Sequence, residues 1–193
     1  MEYFLSQRIV GVDEVGRGSL AGPVVAAAVV FLDGMVGINI KDSKQISAAR
    51  REMLALHIRH SAYDWSIGAA TAHEIDQLNI HHATLLAMRR AVLGIRASID
   101  YVYVDGKFFP DIPCPGEHRV KGDETTPVIS AASIVAKVFR DRQMIWLNTI
   151  YPQYGFAQHK GYPTRQHRSA LAMFGLTDEH RTSFRCGSPK DEA

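Results

Sequence analysis

The feature that most constrains the fold is a pair of short β-branched runs near the start of the chain. They occupy residues 9–15 and 24–31, and the turn sequence GRGSLAGP at residues 16–23 joins them. Glycine and proline are typical of turns, whereas valine and isoleucine favour extended strands. The segment therefore predicts a β-hairpin, with two acidic residues near the end of its first strand.

A helical pattern follows the hairpin. Ser47 is a suitable N-terminal cap, and the spacing of Met53, Leu54 and Ile58 predicts one apolar helix face. Alternation over residues 63–67 then predicts a half-buried strand.

A capping box at Thr71 and Glu74 introduces a second helical region, which we expect to continue over residues 80–96. Residues 101–104 form the next predicted strand, which ends at Asp105. Only a short extended piece is expected at residues 119–121.

Thr126 and Pro127 open a long helix, because proline is tolerated in the first turn. Tyr151-Pro152 should end that helix. A last helix is predicted over residues 164–174, closed by Gly175. Strands in the first two-thirds, with helices between and after them, predict an α/β fold with a sheet flanked by helices.

Composition limits the class of protein. The 193 residues are 46% hydrophobic and 22% charged, which fits one globular domain. The longest apolar run, residues 20–32, is too short and too interrupted for a membrane helix, so no membrane association is expected. Two cysteines and no secretory signal pattern predict a cytoplasmic location.

Net charge does not by itself indicate a nucleic-acid binder, because it is only +2. The basic residues do cluster, although solvated helix faces would explain the same runs. The two clusters contain Lys41, Lys44, Arg50, Arg51 and Arg59 in one stretch, and Lys160, Arg165, Arg168, Arg181 and Arg185 in the other.

Asp13 and Glu14 are adjacent acids within an apolar strand. A desolvated carboxylate needs a cation or hydrogen-bond donors, so these residues are candidates for a site. Neighbouring strand residues point to opposite faces, and ordinary strand geometry would not aim both at one ion. Either the strand breaks there or Glu14 acts through its backbone. A further alternative is that one acid faces solvent while the other pairs with an arginine or lysine in the core.

Gly16 and Gly18 flank Arg17 immediately after these acids. Two glycines without side chains would let a nucleic-acid backbone approach the main-chain amides. Arg17 could bind a phosphate or pair with a neighbouring acid. An ordinary hairpin turn would show the same pattern.

Asp105 and Asp123 are the other candidate acids. Asp105 ends a predicted strand, where ligands commonly bind in open α/β sheets, and Asp123 precedes the long helix. A turn-starting acid and an acid placed by the helix dipole are the structural alternatives. Together with Asp13, these residues predict a shared site for hard divalent cations, which prefer oxygen ligands.

Taken together, the motifs resemble those of bacterial ribonuclease HII, a type 2 ribonuclease H. The likeness runs over nearly the whole chain, and the order of the motifs is its most specific feature. They are GVDEVGRG (11–18), DSK (42–44), EIDQLNI (74–80), VDG (104–106), KGD (121–123), ISAASIVAKV (129–138) and YPQYGFAQHKGYPT (151–164).

The resemblance implies a single ribonuclease H-like domain over residues 1–193. It implies a mixed central sheet flanked by helices, a C-terminal helical segment at about residues 164–185 and a frayed tail at residues 186–193. It also implies cleavage of RNA in RNA–DNA hybrids and at single ribonucleotides in DNA, leaving 5′-phosphate and 3′-hydroxyl ends. A monomer is expected.

The same resemblance assigns the site residues. It implies that manganese or magnesium is held by an acidic quartet, and that a loop senses the RNA–DNA junction together with a tyrosine. The quartet falls on Asp13, Glu14, Asp105 and Asp123, the loop on Gly16, Arg17 and Gly18, and the tyrosine on Tyr162.

The corresponding hypothesis has Asp13 bridging two ions, Asp105 and Asp123 completing their shells and Glu14 beside them. Lys44 is a candidate phosphate contact. One departure is visible, because Ser19 stands where the family commonly has proline, which predicts a less rigid loop.

The long helix carries Ser130, Ser133 and Lys137 on one face, which either runs beside a nucleic-acid strand or allows close helix packing. His159 and the pair His81-His82 are expected to cap or pack rather than bind metal. A structure-specific resolvase with the same acids, and a non-catalytic hybrid-binding module, are the alternative functions.

Overall fold

The computed structural model describes residues 6–34 and 47–184. Lys44 and the predicted frayed tail at residues 186–193 lie outside these ranges, so their predicted roles remain predictions. No helix among the described residues is both long and apolar enough to span a bilayer.

The predicted hairpin is present. Strands β1 (Arg8–Val15) and β2 (Val24–Leu32) pair antiparallel, with Asp13 opposite Ala27. β3 (Asp64–Ala70) continues the antiparallel pairing on the far side of β2.

Two parallel strands complete a mixed sheet. β4 (Tyr101–Asp105) runs parallel to β1 and β5 (Gly116–Arg119) runs parallel to β4, which gives the order β3-β2-β1-β4-β5. The short extended piece expected at residues 119–121 was misplaced, because the pairing with β4 fixes β5 three residues earlier. The carboxyl ends of β1 and β4 meet at one edge, and they carry three of the four predicted acids, Asp13, Glu14 and Asp105.

Six helices accompany the sheet in the described part of the chain. Their bounds are α1 (Ala48–Ser61), α2 (Ala72–Leu93), α3 (Gly122–Thr125), α4 (Pro127–Ile150), α5 (Phe156–His159) and α6 (Arg165–Phe174). A 3₁₀ turn at Pro152–Tyr154 lies between α4 and α5.

The helix caps follow the sequence prediction. The Ser47 side chain accepts from the Arg50 amide at the start of α1, and the Thr71–Glu74 capping box is complete at the start of α2. Pro127 lies in the first turn of α4, which ends before Tyr151. The expected apolar face of α1 was wrong at Met53, which is 72% exposed, because Ala55 and Ile58 face the sheet instead.

Both faces of the sheet are covered. Alternate residues of β2 pack against α1 and α4 on one side and against α2 on the other. The start of α4 lies so close to β1 that a Cβ on Gly11 would meet the Val128 carbonyl carbon at 2.1 Å. This contact places the first turns of α4 beside the acidic end of β1.

A third apolar cluster joins the C-terminal helical segment to the sheet. Leu20 from the hairpin turn, Met144 from α4 and Leu171 from α6 belong to it. An isolated bridge between Ala21 and His180 connects the same turn to the chain after α6. The hairpin turn is therefore enclosed by residues from the end of the sequence.

Candidate active site

Three of the predicted acids converge at the carboxyl edge of the sheet. Asp13, Glu14 and Asp105 offer oxygen atoms that all lie within 4.8 Å of one another. The parallel register explains the meeting of two of them, because Val12 is opposite Val104 and the next residues are Asp13 and Asp105.

Ordinary strand geometry was not expected to direct both Asp13 and Glu14 at one ion, so a strand break or a backbone role for Glu14 was left open. β1 continues to Val15 without a break, and the Glu14 side chain nevertheless joins the group. We attribute this to the position at the end of the strand, where a long side chain can turn over the sheet edge. Glu14 also pairs with Arg17, at 3.3 Å between Nη1 and Oε1.

Burial and mutual repulsion set the charge state of this group. Burial, with the nearby Glu14 and Asp105 charges, raises the pKa of Asp13 well above its ordinary value. Burial also raises the pKa of Glu14, and the Arg17 guanidinium opposes that change. Crowded carboxylates with raised pKa values gain most from a cation that neutralises them.

Asp13 and Asp105 are oriented by hydrogen bonds from neighbouring elements. The Asp13 carboxylate accepts from the Glu14 amide at 2.7 Å and from the side chain of Ser133 on α4. Asp105 accepts from the Gly122 amide, at 2.7 Å to Oδ1. The carboxylates are thus held in place by donors that leave other lone pairs available for a ligand.

Asp123 lies beside this group rather than in it. It follows Gly122 in α3 and is half-buried, and its backbone carbonyl accepts from Ser130 Oγ at 2.6 Å. The three acids that share a 4.8 Å spacing do not include it. A role for Asp123 as a fourth ligand stays a prediction.

The predicted face of α4 with Ser130, Ser133 and Lys137 makes contacts within the protein. Ser130 binds the Asp123 carbonyl, Ser133 binds Asp13, and Lys137 pairs with Asp141 at 2.8 Å. Ser130 and Ser133 therefore contact the acidic residues from the α4 side. Sequence spacing grouped them correctly but did not reveal these partners.

The loop after β1 lies next to the acids. Gly16 has φ of 94°, and a Cβ there would meet Arg140 Nε at 2.1 Å, so this position requires glycine. Arg17 and Gly18 are exposed, whereas Ser19 is fully buried and its hydroxyl has no partner among the described residues. An apolar proline would leave no such hydroxyl, which agrees with the departure noted at Ser19.

Tyr162 approaches the same loop. Its ring centroid lies 5.6 Å from the Arg140 guanidinium carbon, the side chain that also packs against Gly16. The Leu20 amide donates to the Gly161 carbonyl at 2.8 Å. The structure thus brings the predicted tyrosine and the predicted loop to one side of the site.

Three buried histidines support the Tyr162 backbone, two of them through direct hydrogen bonds. The Tyr162 amide donates to the His159 carbonyl, and His167 Nδ1 donates to the Tyr162 carbonyl at 3.1 Å. His180 Nδ1 accepts from the Thr177 amide, so its Nε2 carries the proton and donates to His167 Nε2 at 3.1 Å. This network needs neutral rings, and His159 packs within it, as predicted.

Burial keeps these rings neutral. It lowers the pKa of His167 to about 4 and that of His180 to about 4, and it lowers the pKa of His159 as well. Protonation of His167 would place an N–H on its Nε2, which could then no longer accept the hydrogen bond from His180 Nε2. The hydrogen bond from His167 to the Tyr162 backbone therefore depends on a proton arrangement that acid disrupts.

Two buried arginines are the residues that sequence reasoning missed. Arg140 and Arg181 are each 0% exposed, although Arg181 was grouped with a solvated basic run. Arg140 donates to the carbonyls of Pro23, Lys160 and Ala21, which ties the hairpin turn to the segment before Tyr162. No local sequence signal separates such an arginine from a surface one.

Comparisons with known proteins show which family the chain resembles. The family model "Ribonuclease HII" matches residues 10–186. The ribonuclease H2 of Pyrococcus horikoshii OT3 is similar at 25% identity and a TM-score of 0.81, over 93% of this chain and 95% of that one. The ribonuclease HII of Archaeoglobus fulgidus, solved in a complex with PCNA, is similar at 27% identity and a TM-score of 0.74, over 95% and 99% of the two chains.

A more distant structure shares the fold. Bst-RNase HIII, solved in complex with Mn²⁺, is 16% identical with a TM-score of 0.77, over 95% of this chain and 69% of that chain. The predicted ribonuclease H-like fold, a mixed sheet with flanking helices, is confirmed. The chain belongs to the ribonuclease HII family and is an endoribonuclease of the ribonuclease H type.

Proposed function

We propose that this enzyme hydrolyses the RNA strand of RNA–DNA hybrids and cuts 5′ of single ribonucleotides embedded in duplex DNA. The products would carry 5′-phosphate and 3′-hydroxyl ends. The supporting observation is the convergence of Asp13, Glu14 and Asp105 next to the loop at residues 16–18, whose Arg17 side chain contacts Glu14. Acting as a monomer, the enzyme would remove misincorporated ribonucleotides and RNA primers.

The chemistry of the donor set fits magnesium or manganese. Three carboxylates supply only oxygen ligands, and hard divalent cations prefer these. Two such cations, held by these carboxylates, would supply an activated water and neutralise charge on the departing 3′ oxygen. Asp13 is the most buried of the three acids, and it would hold a cation together with Glu14 and Asp105.

The protein itself fixes the ligand geometry. Ser133 and the Glu14 amide hold the Asp13 carboxylate, and the Gly122 amide holds Asp105. Ligands that are already oriented need not be ordered when substrate arrives, which reduces the entropy cost of catalysis. Arg17 draws Glu14 towards the loop and could release it to pair with a phosphate.

Recognition of the substrate must depend on the 2′-hydroxyl, the group that distinguishes RNA from DNA. In this proposal the amides of residues 16–18 bind that oxygen, and the Tyr162 ring stacks on an adjacent sugar or base. Lys44 is proposed as a phosphate contact on sequence grounds alone. The Tyr162 backbone is fixed by His159 and His167, which limits how far the ring can move.

The test is a cleavage assay on two DNA duplexes that differ by one ribonucleotide, run with Mg²⁺, with Mn²⁺ and with chelator. We expect metal-dependent cleavage 5′ of the ribonucleotide and none of the all-DNA duplex. Asp105→Asn should lose turnover, whereas the matched control Asp100→Asn, which removes an acid paired with Arg8, should retain it.

Two results would refute the proposal. Equal cleavage of both duplexes would indicate a structure-specific nuclease that ignores the 2′-hydroxyl. Hybrid binding without any metal-stimulated cleavage would indicate a non-catalytic binding module.

A further inference from the structure

Arg181 is a fully buried arginine that contacts the loop next to the acidic site. It lies after α6 and is 0% exposed. Burying a guanidinium is costly unless hydrogen-bond acceptors surround it. The identity of those acceptors therefore indicates what the residue does.

The acceptors are carbonyls of the hairpin turn. Arg181 Nη2 donates to the Gly16 carbonyl at 2.7 Å, and Nη1 donates to the Arg17 carbonyl at 2.8 Å. Nε and Nη2 also donate to the Gly22 carbonyl, at 3.0 and 2.9 Å. One planar fork thus holds three carbonyls of the same turn.

This arrangement determines where the loop amides point. In a trans peptide the carbonyl and the following N–H point in opposite directions, and the described chain has no cis peptide bond. The Gly16 carbonyl shares its peptide plane with the Arg17 amide, and the Arg17 carbonyl shares its plane with the Gly18 amide. Because Arg181 draws both carbonyls inward, both amides face outward.

The two outward amides are available to a ligand. Arg17 and Gly18 are exposed, and neither amide donates to another group among the described residues. Successive N–H groups pointing the same way form a concave site for an oxygen acceptor. Such a site lies beside Glu14, the carboxylate that Arg17 contacts.

The segment that carries Arg181 is itself fastened on both sides. The Arg181 amide donates to the Leu20 carbonyl at 2.8 Å. Asp76 on α2 accepts from the amides of Thr182 and Ser183, each at 2.9 Å, and also from both hydroxyls. The guanidinium is therefore positioned by contacts outside the loop that it holds.

We propose that Arg181 is a positioning residue that fixes the Arg17 and Gly18 amides towards the 2′-oxygen of a ribonucleotide. This inference rests on the proposed function. Charge alone would not suffice, because lysine lacks the planar fork and its single ammonium cannot span three carbonyls in fixed directions. Arg181→Lys therefore keeps the positive charge and removes the orientation.

The experiment compares the wild type with Arg181→Lys, and with Arg142→Lys as a matched control on the exposed side of α4. Arg142 is 54% exposed and pairs with Glu52, away from the loop. Affinity is measured for a duplex with one ribonucleotide and for the same duplex in DNA, in chelator so that no turnover occurs. Steady-state cleavage of the ribonucleotide duplex with Mg²⁺ gives kcat and KM.

We expect Arg181→Lys to bring the ratio of the two affinities close to one. It should also lower kcat/KM on the ribonucleotide duplex roughly tenfold. Affinity for the all-DNA duplex should stay at the wild-type level, which a general loss of folded protein would not allow. Arg142→Lys should match the wild type in every measurement.

A folded Arg181→Lys protein with the wild-type affinity ratio would overturn the inference while leaving the proposed function intact. A wild-type protein that does not distinguish the two duplexes would instead refute the proposed function. If Arg181→Lys does not fold, Asp76→Asn loosens the same segment from α2 and should lower the ratio in the same direction. An unchanged ratio in folded Asp76→Asn would then overturn the inference.

Discussion

Replacing Asp13 with asparagine should stabilise the metal-free protein while abolishing its turnover. Asp13 is 5% exposed and lies with Glu14 and Asp105 in a group whose oxygens are within 4.8 Å of one another. Asparagine has nearly the same shape, and its carbonyl oxygen can keep the hydrogen bond from the Glu14 amide. The substitution therefore removes charge without creating a cavity.

The size of the expected stability change follows from the distance between the carboxylates. Two unit charges 4.8 Å apart repel by about 3.5 kcal/mol at an effective dielectric constant of about 20. Protonation already relieves part of this repulsion, because the pKa of Asp13 is raised. We therefore expect the free energy of unfolding to rise by about 1 to 2 kcal/mol, which corresponds to roughly 2 to 8 °C in Tm for a chain of this size.

The pH dependence of stability independently predicts that Asp13→Asn is the more stable protein. A carboxyl with a raised pKa in the folded state favours folding at low pH, and that contribution is lost as pH rises through the folded pKa. The difference in stability between Asp13→Asn and the wild type should therefore be largest near pH 8. It should shrink as pH falls towards the ordinary aspartate pKa of about 4.

The assay is urea unfolding of both proteins in chelator at several pH values, with turnover measured separately in Mg²⁺. Asp100→Asn is the control of opposite sign, because Asp100 accepts hydrogen bonds from Arg8 and its pKa is lowered. A metal-free Asp13→Asn protein that is less stable than the wild type at pH 8 would refute the electrostatic reasoning. Retained turnover would refute the role of Asp13 in catalysis.

Three further predictions concern the loop and the residues beneath it. Gly16→Ala should cost more than about 1 kcal/mol of stability, because Gly16 has a φ of 94° and contacts Arg140. Gly18 has open space where a Cβ would lie, so Gly18→Ala should melt like the wild type but cleave the single-ribonucleotide duplex more slowly. Tyr162→Ala should fold but lose cleavage of that duplex, and equal activity would remove the proposed stacking role. Because the pKa of His167 is about 4 in the folded state, the unfolded chain binds more protons between about pH 6.5 and pH 4, and stability should fall as pH decreases through this range. That loss, up to about 3 kcal/mol, should be reduced in His167→Asn. A pH dependence of stability equal to that of the wild type would contradict the assignment.

Local patterns predicted most of the secondary structure. The hairpin, the Thr71–Glu74 capping box and the limits of the helix from Pro127 depend on neighbouring residues, so the sequence contains the necessary information. The short helices α3 and α5 span four residues each and were not predicted, because one turn has no periodicity to detect. The kink at Asn79, with φ of 66°, was also missed.

The site was only partly accessible from the sequence. Asp13 and Asp105 could be placed at strand ends, but the meeting of Glu14 with both depends on how a side chain turns over the sheet edge. The role of Arg181 depends on carbonyls of Gly16 and Gly22, which are 165 and 159 residues away along the chain. Backbone acceptors have no residue signature, so a buried arginine that binds them looks like any other arginine.

Manganese binding to the metal-free protein, followed by electron paramagnetic resonance, tests the central claim most directly. The claim is that Asp13, Glu14 and Asp105 form one cation site. We expect the wild type to remove free Mn²⁺ from solution, with at least roughly tenfold weaker binding in Asp105→Asn and in Asp13→Asn, and wild-type binding in Asp100→Asn. Equal Mn²⁺ affinity in all four proteins would contradict the claim.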